Sequence, residues 1–156
     1  IWLMFSARDA SVNERLLAAA APTRDELKML WRALRLLEHT SHDDIVRVSD
    51  EELAAQARLQ DGRYALDAQV SEAGIAVFAE LGLLQLSSYG PTREIKLTSN
   101  PPRMNLTQSA RYVEGIRAAE DFAEFREWVL RCAQAELLDS INKPIVPGFG
   151  HVVCGG

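Results

Sequence analysis

The sequence predicts a mainly helical α+β fold. Three observations carry that expectation. Apolar stripes at helical spacing start at capping residues, the apolar period changes from 3.6 to 2 near residue 84, and a long amphipathic stretch follows residue 107. A chain of 156 residues, 47% hydrophobic and 25% charged, suits one globular unit that can bury a core without covalent staples.

Residues 1–22 read as the end of a preceding domain or a linker. Ile1 stands where a native start would show Met, so this end reads as a cut inside a longer protein, and Ile1 to Phe5 reads as a strand. Asn13 to Ala21 reads as a short helix ended by Pro22, whose ring cannot continue one. Thr23 and Glu26 form a capping box, a reciprocal pairing that satisfies two orphan backbone donors and stabilises a helix start by about 1 kcal/mol. Leu27, Leu30, Trp31, Leu34 and Leu37 follow as one apolar stripe. Arg24, Lys28, Arg32 and Arg35 fall mostly off it, as a solvated face first and a phosphate-binding face second.

Thr40 to Asp50 reads as a polar loop with a short extended piece at Ile45 to Val48. A second capping box, Ser49 with Glu52, launches a short helix from Asp50 to Arg58, closed by Gln60-Asp61-Gly62. A third helix spans Leu66 to Leu81 with Val70, Gly74, Val77, Phe78 and Leu81 on one face, and Gly82 supplies a left-handed residue beyond its end. Leu84 and Leu86, then Ile95 and Leu97, alternate with polar residues around a turn at 88–92, the pattern of a β-hairpin. After Asn100-Pro101-Pro102, a long helix runs from Gln108 to Ile141. Tyr112, Ile116, Ala119, Phe122, Phe125, Val129 and Cys132 form its stripe. The glycine-rich remainder reads as a flexible tail.

The organisation expected is therefore 1–22 as above, a core at 23–106, a long helix packing on it at 107–141 and a tail at 142–156. The order helix, short helix, helix, β-hairpin is that of a winged helix, here followed by a long carboxy-terminal helix.

Charge limits the function classes. A net charge of −5 opposes wholesale coating of nucleic acid, although a local basic patch is compatible with it. No apolar run reaches the roughly 20 residues of a membrane helix, and no signal peptide is evident. Two cysteines, Cys132 and Cys154, fit a reduced, cytoplasmic setting. The third helix, the one that would enter a major groove, holds Asp67, Glu72 and Glu80 and no Lys or Arg, which disfavours direct DNA reading.

Candidate sites are few. Arg93, Lys96 and Arg103 outweigh Glu94 and form a possible basic seat for an acidic peptide or a phosphate, against the plainer reading of an ordinary charged hairpin. His39, His42, Asp43 and Asp44 have metal-ligand chemistry but lack a second cluster to close a site. His151 and Cys154 have ligand spacing but sit in the glycine-rich tail. Cys132 reads as a buried core thiol. There is no nucleophile elbow and no phosphate loop. No catalytic, cofactor-binding or metal residue is assigned.

Three segments resemble the carboxy-terminal domain of RecJ-type single-stranded-DNA-specific exonucleases. They are Pro22-Thr23-Arg24-Asp25-Glu26-Leu27 with the Trp31 helix, Ile75 to Leu84, and Arg103 to Tyr112. The opening Ile1 to Ser6 is similar to the end of the segment that precedes that domain, and the resemblance covers most of residues 1–145. It implies a parent enzyme that degrades single-stranded DNA from the 5′ end, with Mn or Mg held by Asp and Asp-His-His motifs in amino-terminal domains. His42-Asp43-Asp44 has the wrong order for those motifs, so no catalytic residue carries over. What the resemblance implies for this chain is an accessory role in DNA repair and recombination, through stability or protein contacts. The implied partners are the catalytic domains of the same polypeptide and the acidic tail of single-stranded-DNA-binding protein. A free-standing winged-helix DNA-binding regulator is the alternative, and a metal-dependent fragment using His39 and His42 is a third reading.

Overall fold

The computed structural model describes residues 6–62, 66–87, 91–101 and 103–132, together with 135, 136 and 139. The chain runs α1 (Ala7–Ala20), α2 (Arg24–Thr40), β1 (Ile45–Val48), α3 (Asp50–Gln60), α4 (Ala68–Glu80), β2 (Leu84–Leu86), β3 (Arg93–Leu97), a 3-10 turn (Leu106–Gln108) and α5 (Ala110–Arg131). It is mainly helical, with one small antiparallel sheet and a long carboxy-terminal helix. Among the described residues no helix is long and apolar enough to cross a membrane. The strand expected at Ile1 to Phe5 and the tail expected at 142–156 lie outside the described residues.

Helix starts follow local side-chain chemistry. The Thr23 hydroxyl accepts from the Glu26 amide while Glu26 accepts from the Thr23 amide at 2.7 Å. Ser49 and Glu52 pair in the same way. A third box begins α1 well before the expected start at Asn13: Ser6 accepts from the Asp9 amide, and Asp9 accepts from the Ser6 amide at 2.9 Å. Aspartate here takes the place usually held by Glu or Gln, so the box departs from the common sequence pattern. Asp67 caps α4 by accepting from the Val70 amide at 2.9 Å, so that helix begins at Ala68.

The Gly82 backbone has φ 67°. Its amide donates to Ala79, and the Leu83 amide donates back to Phe78 at 3.0 Å. This pair of bonds satisfies the last carbonyls of α4 and turns the chain into β2.

The extended piece at Ile45–Val48 is a full strand. It pairs antiparallel with β3, giving a three-stranded sheet in the order β1-β3-β2. Register places Val46 opposite Ile95, and Ile95 opposite Leu86, on one face. That face closes the core formed by α2, α3 and α4, in which Leu27, Leu30, Leu34, Leu53, Phe78 and Ile95 are fully buried. Trp31 meets Phe78 edge-on at 5.3 Å. Gly74 lets α2 approach α4: a Cβ there would lie 2.5 Å from Leu30 Cδ1.

Outside this core lie α1 and α5. The segment expected to end a preceding domain carries a helix that packs against α4 and α5. Ala10 is buried, and Glu14 forms an ion pair with Arg126 of α5. The expected stripe of α5 is only partly realised. Tyr112 packs against the core, but Ile116 and Phe125 are exposed, and no described residue of α5 is buried. Cys132 is half-buried, not a core thiol. The reason is the packing: α5 lies against α1, α4 and the 3-10 turn, and these leave much of its circumference exposed.

Gly115 marks the crossing of α5 with the end of α1. A Cβ at this position would lie 2.6 Å from Ala21 Cβ and 3.2 Å from Ala21 Cα. Neither atom can rotate away. Gly115→Ala gains about 1 kcal/mol of helix propensity but overpacks the crossing at a cost of about 1–3 kcal/mol. The expected outcome is a net loss of stability in urea unfolding, larger for Gly115→Val. A raised midpoint for Gly115→Ala would mean that α1 is not held at this crossing.

Candidate functional site

The sequence placed a basic seat at Arg93, Lys96 and Arg103. Alternation along β3 separates the first two. Arg93 shares a face with the buried Ile95 and Leu97, whereas Lys96 is exposed on the opposite face beside Ile45 and Gln85. Arg103 is exposed between β3 and the 3-10 turn.

Arg93 is committed elsewhere. Its guanidinium donates to both carboxylate oxygens of Asp50, at 2.9 Å and 2.7 Å, and lies 3.3 Å from Glu72. The Arg93 and Asp50 side chains are only 13% and 18% exposed. The Asp50 carboxylate, followed by Glu72, holds the guanidinium more firmly protonated than an ordinary arginine. Arg93 therefore ties β3 to the first residue of α3 and to α4, so the seat loses one of its three cations. Asp50 was visible in the sequence only as a first-turn acid, and its partner lies 43 residues away.

The acids of α4 also have partners. Asp67 is the cap described above. Glu72 faces Arg93. Glu80 accepts from the Ser109 hydroxyl at 2.6 Å and the Arg111 amide at 3.3 Å, and pairs with the Arg111 guanidinium at 3.1 Å. The Ser109 hydrogen bond, before the Arg111 contributions, holds the Glu80 carboxyl below its ordinary range. The acidity of this helix, read from the sequence as a barrier to DNA, thus fastens the hairpin and the start of α5.

Between α1, α4 and the hairpin lies an open cleft of about 460 Å³. Leu16, Ala73, Ala76 and Leu86 make it largely apolar, and Arg93 and Arg111 stand in its lining. Those cations already hold Glu72 and Glu80, so the cleft offers a seat for an apolar side chain rather than an exchangeable proton. A second cleft, of about 320 Å³, lies along α1 and α5 around Glu14 and Arg126.

The His39, His42, Asp43 and Asp44 group does not fit a metal. Asp43 accepts two bonds from the Arg47 guanidinium, at 3.2 Å and 2.8 Å, and Arg47 also reaches Glu94 at 3.1 Å. Among the described residues no three His, Cys, Asp or Glu side chains are placed to share an ion. His151 and Cys154 lie outside the described residues. Comparison with known proteins gave no matching family model, no similar curated protein and no similar solved structure.

Two outcomes are expected. Arg93→Ala strands a poorly solvated carboxylate and should cost about 1–3 kcal/mol, against near zero for the exposed Lys96→Ala. A double-mutant cycle with Asp50→Ala should return a coupling above about 1 kcal/mol, and equal effects of Arg93→Ala and Lys96→Ala would contradict the clamp.

The second outcome concerns pH. Arg47 lowers the Asp43 carboxyl from 3.8 to about 2. A depressed folded value means stability that is complete above the ordinary aspartate value and lost as pH falls through about 2. Asp43→Asn should therefore flatten the loss of stability between pH 4 and 2, measured by urea midpoints. An unchanged acid limb would assign that loss to other carboxylates.

Proposed function

We propose that this chain is a non-catalytic accessory carboxy-terminal domain of a RecJ-type 5′-3′ single-stranded-DNA exonuclease, acting in repair and recombination through protein contacts or by stabilising its neighbours. The observation that carries the reading is the state of α4. In this order of elements α4 is the helix that would read a groove, yet it packs against α1 and α5, and its acids are engaged in capping and ion pairs. The three sequence segments supply the parent family. Exposed apolar side chains on the outer helices, Leu16 of α1 and Ile116, Phe125 and Leu130 of α5, supply surface for contact.

The partners that follow from this reading are the catalytic domains of the same polypeptide, carrying their own Mn or Mg, and the acidic tail of single-stranded-DNA-binding protein. A cytoplasmic location belongs to the same proposal. The reading is tested by calorimetric titration of the chain with separately produced catalytic domains and with an acidic, Phe-ended peptide. Saturable binding of either supports it. Absence of both, together with tight, sequence-dependent binding of duplex DNA, would replace it with the DNA-binding regulator.

A further inference from the structure

The outward face of α2 is unaccounted for by the contacts described so far. Arg24, Lys28, Arg32, Arg35 and His39 follow one another at intervals of four, four, three and four residues. At 3.6 residues per turn these positions fall within about 80° of the helix circumference, in a row rising about 5–6 Å per step. The opposite side of the same helix holds Leu27, Leu30, Ala33 and Leu34, all fully buried. The row therefore points away from the core. Lys28 pairs with Asp25 and Arg35 with Glu38, each at 2.7 Å and each within one turn. Arg24 and Arg32 are exposed and make no ion pair among the described residues, although Arg24 lies near enough to Asp25 to lower its carboxyl slightly, after the larger effect of Lys28.

We infer that this face of α2 contacts the phosphodiester backbone of nucleic acid, without base recognition. Four features favour that occupant. The step between cations is close to the spacing of successive phosphates along a strand. Three of the cations are arginines, whose planar forks fit phosphate oxygens in pairs. Neither cleft described above reaches the row, so neither offers it an anchor pocket for a peptide. The row also carries no free aromatic platform on which bases could stack: Trp31, at its edge, is half-buried and engaged with Phe78. An acidic protein segment would meet the same cations, with Leu36, 48% exposed, as its one apolar contact. It is the competing occupant.

The contact is weak and short-ranged, because the whole chain carries −5 and repels a polyanion at a distance. With two to four cations engaged, raising salt from 50 to 200 mM should weaken binding to a single strand by roughly 7- to 50-fold. The inference is independent of the parent enzyme proposed above, since it concerns a face that reading does not use.

The test is fluorescence anisotropy of the whole chain with a labelled single strand of about 20 nucleotides, and with the matching duplex, at both salt concentrations. Arg24→Glu with Arg32→Glu is compared with Arg8→Glu and Arg117→Glu, exposed cations of α1 and α5, which change the net charge equally on other surfaces. Arg24→Gln with Arg32→Gln guards against misfolding, and circular dichroism checks the helix content of each variant. The expected result is salt-dependent binding that falls at least tenfold in the α2 variants and less than threefold in the control pair. The single-strand and duplex arms identify which source of phosphodiester the face prefers, and binding of either supports the inference. No saturable binding at 50 mM salt overturns it. Equal loss in both charge-reversed pairs would assign binding to net charge and also overturns it. So does competition by polyglutamate as effective, per charge, as the oligonucleotide, which would give the face to an acidic protein.

Discussion

Helix α4 is packed on two sides, and each side places a different demand on its residues. Toward α2 and the sheet it must be apolar and close-fitting. Phe78, Ile75 and Val77 are buried there, and Gly74 leaves room for Leu30. Toward α1 and α5 it must hold surface elements that contribute little buried area of their own. Alanines and carboxylates serve that side, with Ala73 and Ala76 along the cleft and Glu72 and Glu80 fastening Arg93, Ser109 and Arg111. The hairpin, the start of α5 and the cleft all take their positions from this one helix.

The ion pairs differ in what they contribute. Pairs within a helix, such as Lys28 with Asp25 or Arg131 with Glu127, are exposed and joined over one turn. Such pairs contribute a few tenths of a kcal/mol and are screened by salt. The Arg93 pair is different in kind, because it is bidentate, mostly withdrawn from water, and joins elements far apart in the chain. Its value lies in where it puts β3. The rest of that strand is then set by register, with Ile95 and Leu97 inward and Lys96 outward.

This division of charge alters the functional reading of the helices. In the sequence α4 looks like an acidic, and therefore unsuitable, groove reader, and α2 looks like an ordinary solvated helix. In the structure the acids of α4 have partners, and two guanidiniums of α2 have none within the described residues. Two cations without an ion pair among the described residues therefore lie on α2, and not on the helix that the order of elements would nominate. Local excess, rather than net charge, decides where a polyanion could approach a chain of net charge −5.

What the sequence determined by itself is local. The capping boxes at Thr23 and Ser49, the apolar stripes of α2 and α4, the left-handed Gly82 and the alternation of the hairpin were all legible, because each interaction joins residues within about one turn or one strand. The box at Ser6 was equally local, and only its aspartate disguised it. What the tertiary structure decided is whatever joins distant residues. Nothing near Ile45–Val48 states that it will pair with β3. Nothing near Arg93 names Asp50, 43 residues away, or tells Glu80 that Ser109, 29 residues on, will meet it. On propensity alone Gly115 is a weak point in a helix, and only the fold places Ala21 against it. The candidate seat is divided for the same reason. Nearness in sequence supplied three cations, but the twofold alternation of a strand turned one of them inward to a partner that only folding brings within reach.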